Sequence, residues 1–306
     1  MYINKLNTHI IPFKFEYHAP KSVEEAVKLL SRYGEEARIL AGGTDLLVKM
    51  KQRLIEPKHI IDIKRIKDLT GIREEEDGIH IGAATKLRTL ERSKLIEEKL
   101  PVLHEAVVTM GSIQIRNMAT IGGNLCNASP SADAATPLLA LNAEAKIVGS
   151  EGERIVPLEE FFIGPGKTVL KPDEMLVEVI SPYLPENSGT SFMKIGWTNF
   201  DIATVNLAVV LKLEGEVVDE CRIALGGCAP TPIRVHKAED FLRGKKLTDE
   251  VLEEAANIVS GHVRPRARWR RAPPEYRRAV SRALTIDALT IAKKRIKGVE
   301  VNRGED

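Results

Sequence analysis

The sequence predicts an α+β fold in two parts, on three observations. Strand-like and helix-like segments are mixed without the regular strand–helix–strand alternation of a doubly wound sheet. A run of strand-like segments in the second half gives way, after Pro232, to a helical tail. The chain has 306 residues, about two domains at roughly 150 residues each. A polar break, "YLPENSGT", lies at residues 183–190.

"FKFEYHAP" alternates apolar and polar residues like a short strand. Ser22 with Glu25 forms a capping box for the helix "VEEAVKLLSRY", which Gly34 ends. "ARIL" is a short buried strand, and the glycine pair after it opens "TDLLVKMKQ". "HIIDI", residues 59–63, is another strand, and "IREEEDGIHIGA" a hairpin turning at Asp77-Gly78. Thr85 caps a helix reaching about Arg92, and Pro101 suits the first turn of the next. "EAKIVGSEGERIVP" is a second hairpin. "MLVEVISPY", "TSFMKIG" and "IATVNLAVVLKLEGEVVDECRIALGG" form a meander of antiparallel strands. Helices follow in "VHKAEDFLRG", "TDEVLEEAANIVSG" and from about Pro274. In the last of these Tyr276, Val280, Ala283, Leu284, Leu289 and Ile291 roughly keep the helical period.

The totals exclude several classes. A net charge of +2 makes the whole molecule a poor generic nucleic-acid binder. No apolar run reaches the ~18 residues of a membrane span, and the N-terminus lacks a signal-peptide pattern, so the expected location is cytoplasmic. Three cysteines, Cys126, Cys221 and Cys228, are widely spaced. They are too few for the four thiolates of an ordinary iron–sulfur cluster and odd for a disulfide framework. The seven histidines are scattered singly, so no protein metal site is expected. Glutamine occurs twice while Lys, Arg and Glu abound, a thermophile-like bias.

One motif is a decoy and another has a plainer reading. "GPGKT" (Gly164 to Thr168) imitates the end of a phosphate-binding P-loop, but Phe161 stands where the first glycine belongs and Pro172 soon follows. No GxGxxG fingerprint is present either. Eight arginines between Arg264 and Arg282, with Trp269 and Tyr276, suit phosphate contacts of RNA or, more simply, a solvated or subunit-contacting surface.

The glycine loops "ARILAGGTDLLVKMK" and "TIGGNLCNASPSADAATPLLAL" are different. A glycine pair between strand and helix removes two Cβ atoms where backbone must approach something closely. The amides opening the next helix then offer donors to an anion. Thr44 and Thr120 add hydroxyls and Asn124 an amide, while Asp45 and Asp133 either cap the following helices or accept from sugar-like hydroxyls. A ligand with both diphosphate and polyol, such as flavin adenine dinucleotide (FAD), fits both features.

At these two loops the chain resembles the FAD-binding medium subunits of the molybdenum hydroxylases, the carbon monoxide and xanthine dehydrogenase types. The resemblance continues in order through "GPGKTVLKPDEMLVEVISPY", "FMKIG", "DIATVNLAVVL", "RIALGGCAPTPIR" and "PEYRRAV", nearly the whole chain. It implies a vanillyl-alcohol-oxidase-type (PCMH-like) FAD domain over residues 1–183, with subdomains of about 1–63 and 64–183. A C-terminal α+β domain resembling that of the CO dehydrogenase flavoprotein covers 184–306. By the same resemblance Ile39, Leu40, Ala41, Gly42, Gly43, Thr44, Asp45 and Leu46 wrap the diphosphate and ribityl chain. Thr120, Gly123 and Asn124 form the second clamp, and Asp133 holds flavin hydroxyls. Met110 falls where larger relatives place an aromatic residue near the adenine, and Leu176 and Lys194 line the FAD site. Ile202 lies where the isoalloxazine is approached. The family often has basic residues just before "DIA", whereas this chain has "GWTNFDIA". Trp197 and Phe200 there either alter access to the flavin or, by default, are core residues.

The function implied is electron transfer. Electrons from a molybdopterin-binding large subunit and a [2Fe–2S] small subunit pass through FAD to an external acceptor, in a heterotrimer that dimerises. No residue of this chain is then required as a catalytic acid or base. The alternatives are a self-contained flavin oxidase of the same fold and an RNA-binding module built on the arginine cluster.

Overall fold

The structure, a computed structural model, describes residues 11–198, 200–265 and 272–299. Its first layer is a parallel sheet of three short strands, β1 (Glu16–His18), β2 (Ala37–Leu40) and β3 (His59–Asp62), in the order β1-β3-β2. Helix α1 (Val23–Tyr33) crosses from β1 to β2, burying Ala26, Val27 and Leu30. Ser22 Oγ accepts from the Glu25 amide, and Gly34 ends the helix at φ 51°. The Glu25 carboxylate reaches back to the Lys21 amide at 2.8 Å, one residue earlier than a capping box requires.

The second layer holds β4 (Ile72–Glu75), β5 (Gly78–Gly82), β6 (Glu144–Gly149), β7 (Gly152–Pro157) and β10 (Met175–Ser181), in the order β4-β5-β10-β6-β7. Strands β8 (Phe162–Gly164) and β9 (Lys167–Thr168) form a separate small hairpin, so "GPGKT" is a turn and not a P-loop. Two expectations shift here. Glu75 pairs with Gly78, which makes Glu76-Asp77 the turn residues of the first hairpin. "MLVEVISPY" is not part of the later meander, because β10 pairs with β5 and β6.

Between these strands lie α2 (Leu46–Lys51), α3 (Leu87–Glu91), α4 (Lys94–Lys99), α5 (Pro101–Val108), α6 (Ile121–Cys126) and α7 (Ala135–Ala140). Pro101 opens α5 as expected. Thr85 does not cap α3: its hydroxyl donates to Gly71 O and accepts from Gly71 N, closing the loop ahead of β4.

The third layer is the antiparallel meander β11 (Ser188–Ile195), β12 (Val205–Glu214), β13 (Val217–Gly226) and β14 (Ile233–Arg234). Its inner face, with Phe192, Ala208, Val210 and Ala224, joins the core built around α5 and α7. Its outer face, with Leu207, Val209, Leu211, Ile223 and Leu225, packs with α8 (His236–Leu242), α9 (Asp249–Gly261) and α10 (Pro274–Ile296). Both faces are covered, which is why β12 reads as one continuous apolar run.

Helix α10 buries Arg277, Ser281, Leu284, Thr285, Ala288, Leu289 and Ala292, whereas Tyr276 and Ala283 of the expected apolar stripe are exposed. Arg277 is 1% exposed, and its guanidinium donates to Ala272 O, Thr204 O and Gly227 O. That arginine is structural. Arg282 pairs with Glu253 and Asn257 on α9, while Arg266, Arg268, Trp269, Arg270 and Arg271 lie outside the described residues.

Candidate functional site

The first glycine loop runs from the end of β2 into α2. Gly43 has φ +75°, a left-handed conformation natural to glycine. Gly42 is needed for a different reason: a Cβ there would stand 2.2 Å from Met118 O and 2.8 Å from Ala119 Cα. The first loop therefore lies directly against the segment leading into the second. Lys49 Nζ reinforces the contact with a 2.6 Å bond to Asn127 Oδ1. The amides of Gly42, Gly43, Thr44 and Asp45 donate to no acceptor among the described residues. Asp45 is exposed and does not cap α2 with its side chain. Ile39, Leu40, Ala41, Thr44 and Leu46 are partly buried around this row of free donors.

The second loop is tied down throughout. Ile121 N bonds Thr85 O, Gly122 N bonds Ala83 O, Gly123 N bonds Thr120 Oγ1 and Asn124 N bonds Thr120 O. Gly122 is required by packing, because a Cβ would meet Ala83 at 2.7 Å. At Gly123 a Cβ would meet only Thr120 Oγ1, at 2.8 Å, with nothing else within 4 Å. Both α2 and α6 have six residues, too short for much of a macrodipole. Donation to an anion thus falls to the individual amides of the first loop.

Behind the second loop sits a buried polar group. Lys194 Nζ reaches Asp133 Oδ2 at 2.6 Å and Thr109 O at 3.0 Å. Asn206 Nδ2 donates to Asp133 Oδ1 at 2.6 Å and its Oδ1 accepts from Thr136 at 2.8 Å. Asp133 does not cap the next helix, whose N-cap is Ala134. Burial raises the Asp133 pKa against the opposing pull of Lys194 and Asn206. Both carboxylate oxygens are thus engaged within the protein, and Lys194 keeps one of its three donors.

Met110 (6% exposed) and Leu176 (4%) are core side chains in this structure. Leu176 adjoins the β10 bulge, where Val177 O accepts from Ala83 N, and Ala83 O in turn holds Gly122. Ile202 lies in the β11–β12 connection and is 59% exposed. Trp197 (74%) and Phe200 (68%) are exposed in the same connection, so neither is the core residue expected by default. Lys194 and Thr204, which flank this connection, carry it to the second loop: a Cβ on Gly227 would meet Thr204 O at 2.5 Å and Ser131 Oγ at 3.2 Å.

Several members of the site were not singled out in the sequence. Ser131, Asn206, Lys49 and Asn127 are polar residues whose partners lie far along the chain. Ala83 and Met118 give no chemical signal at all, since their backbones are what matter.

The arrangement fits an extended polar cofactor. Asn124 Oδ1 and Ser131 Oγ are buried with no hydrogen-bond partner among the described residues, which calls for a ligand or water. The amides from Gly42 to Asp45 supply anion donors nearby, and Gly123 leaves its side open. Cys126 is exposed, yet desolvation pushes its thiol up to about 12.

A family model described as the FAD binding domain in molybdopterin dehydrogenase matches residues 13–184. A second, the CO dehydrogenase flavoprotein C-terminal domain, matches residues 191–292. The carbon monoxide dehydrogenase medium chain of Hydrogenophaga pseudoflava is 38% identical over 283 residues, 92% of this chain and 98% of that one. A putative xanthine dehydrogenase FAD-binding subunit of Escherichia coli strain K12 is 37% identical over 279 residues, 90% of this chain and 95% of that one. Among solved structures, carbon monoxide dehydrogenase from Hydrogenophaga pseudoflava, lacking the Mo-pyranopterin moiety, superposes with a TM-score of 0.91 at 39% identity. It covers 94% of this chain and 99% of the matched one.

Proposed function

Because the chain belongs to the FAD-binding subunits of the molybdopterin dehydrogenases, an oxidoreductase flavoprotein family, we propose that it relays electrons between partner [2Fe–2S] clusters and an external acceptor. The partners are a molybdopterin-binding large subunit and a [2Fe–2S] small subunit, in a cytoplasmic heterotrimer that dimerises. Among the described residues no helix is long and apolar enough to cross a membrane. FAD supplies the redox chemistry when bound. This chain supplies binding, orientation and exclusion of water.

The observation that carries the reading is the run of free amides from Gly42 to Asp45 beside the orphaned Asn124 Oδ1. In this reading those amides and the Thr44 hydroxyl hold the diphosphate, with Ile39, Leu40, Ala41 and Leu46 shaping the wall. Gly123 admits the cofactor closely, and Asn124 and Ser131 accept from its hydroxyls or amide groups. Thr120 fixes the second loop by capping it. Asp133 orients Lys194, whose remaining N–H is available to the cofactor, while Met110 and Leu176 act as packing. Ile202, Trp197 and Phe200 form the exposed rim through which an electron partner approaches.

The test compares the isolated chain with the assembled complex. The purified chain should release FAD on denaturation and be reduced by dithionite, but not by carbon monoxide, aldehydes or purines. Adding the two partner subunits should confer reduction by the substrate of the complex. Turnover of such a substrate by the isolated chain would make it a self-contained flavin oxidase instead.

A further inference from the structure

A second constellation lies in the first layer, away from both glycine loops. Glu16 and His18 are alternate residues of β1, so their side chains share one face. The parallel register pairs Glu16 with His59 of β3, which adds a second imidazole to that face. His18 Nε2 and His59 Nδ1 lie 3.2 Å apart, and Glu16 Oε2 lies 3.4 Å from His59 Nδ1 and 3.8 Å from His18 Nε2. An ion bound ~2.1 Å from three ligands at tetrahedral angles sets those ligands about 3.4 Å apart. The same three atoms form such a triangle here.

The rings are held in place. Tyr33, the last residue of α1, stacks on His59 at 3.6 Å between centroids and 14° between planes, and lies 5.2 Å from His18. The side chains of His18 and His59 are 19% and 12% exposed, whereas Glu16 is 70% exposed and free to swing in. Nearby cations are already engaged: Lys58 pairs with Glu36, and Arg32 stands over the Tyr33 ring.

We propose that Glu16 Oε2, His18 Nε2 and His59 Nδ1 bind a divalent cation of the zinc type, with water in the fourth position. Two imidazoles and one carboxylate form a donor set suited to zinc. The ion ties β1, a three-residue edge strand, to β3 by coordination bonds in addition to its short ladder. This departs from the expectation of no metal site, which rested on histidines far apart in sequence. Glu75, Asp77 and His80 are also close enough to share an ion. They differ in that Glu178 lies 3.0 Å from His80 Nδ1 and Asp77 2.9 Å from its Nε2, and together they raise its pKa, which opposes the proton loss that ligation requires.

The test is zinc binding to the untagged full chain, by equilibrium dialysis with elemental analysis, alongside visible absorption with cobalt as a substitute ion. One equivalent of zinc should bind, and cobalt should give intense tetrahedral bands to the red of any flavin absorption. His18→Ala and His59→Ala should weaken zinc at least about 100-fold, the upper end of what losing an outer partner alone costs a metal site. Glu16→Gln, at an exposed position that leaves the fold intact, should weaken it about 10-fold and alter the cobalt bands, while His80→Ala should leave both unchanged. Absence of a zinc equivalent, or equal affinity in the wild type and Glu16→Gln, would overturn the proposal, as would loss of the ion in His80→Ala. If His59→Ala fails to fold, His18→Ala and Glu16→Gln still decide it.

Discussion

In the loop of Gly42 and Gly43 four successive amides have no acceptor among the described residues, whereas in the loop of Thr120 to Asn124 every amide from Ile121 onward has one. The first loop therefore leaves its donors open. The second loop spends its donors on its own fold and keeps a side-chain acceptor, Asn124 Oδ1, and the open side of Gly123. Similar letters do different physical work. Of the four glycines, Gly42 and Gly122 serve contacts between backbones and Gly43 a positive φ, leaving Gly123 as the one whose bare side faces open space apart from the Thr120 hydroxyl.

Substitutions should separate the two loops. The largest effect is expected at the anchor behind the second loop. From the sequence, Asp133→Asn promises about 1 kcal/mol of weaker binding, because an amide oxygen still accepts a hydrogen bond. The structure raises that expectation, since Lys194 would be left buried without its counter-charge. Losing one partner of a buried pair costs about 3–5 kcal/mol, which chemical denaturation of the apoprotein should register directly. An unchanged midpoint would mean that the second loop stands without its anchor.

Next comes Gly123→Val. Its side chain meets only the Thr120 hydroxyl, so apoprotein stability should fall by about 1 kcal/mol, the worth of one N-cap. FAD affinity should fall about 100-fold, or about 2.7 kcal/mol, in a fluorescence titration with FAD. Unchanged affinity would place the cofactor elsewhere. A matched pair of threonines sharpens the contrast further. Thr120→Ala should cost the apoprotein about 1 kcal/mol as a lost cap, whereas Thr44→Ala should leave the apoprotein alone and weaken FAD by about 1 kcal/mol. The reverse pattern would exchange the roles of the loops.

The smallest effect lies outside both loops. Burial opposes the charge on His80, but the hydrogen bonds to Glu178 and Asp77 outweigh it and raise its pKa. A raised pKa means that the charged network contributes fully below the unfolded value of about 6.5. That stability is lost as pH rises through the folded value. Denaturation midpoints measured across that range should show the step, and His80→Gln should remove it without changing FAD affinity. A step in FAD affinity would show that the network reaches the site.

Much of this was legible in the sequence because its signals are local. The Ser22 cap, the Gly34 stop, Pro101 at a helix start and the continuous run of β12 all act within a few residues. The two glycine loops were visible for the same reason. What stayed hidden depends on partners distant in sequence. Thr85 looked like a cap until Gly71 claimed its hydroxyl, and β10 looked like part of the meander until β5 and β6 took its edges. The partners of Asp133 stayed hidden because Lys194 and Asn206 lie more than sixty residues away. Arg277 looked like surface because no local pattern reveals a guanidinium closing three backbone carbonyls.

The meander of β11 to β14 has one face in the core of the FAD-binding part and the other under α10. The two family models divide the chain between residues 184 and 191, but thermodynamically that division falls beside a party wall. Cutting there would strip Phe192, Ala208, Val210 and Ala224 from the neighbouring core and expose the far side of α5 and α7. The chain should melt in one cooperative transition, with neither half foldable as a separate product. Clipping the exposed turn at Trp197 and Phe200 should leave two fragments that remain associated.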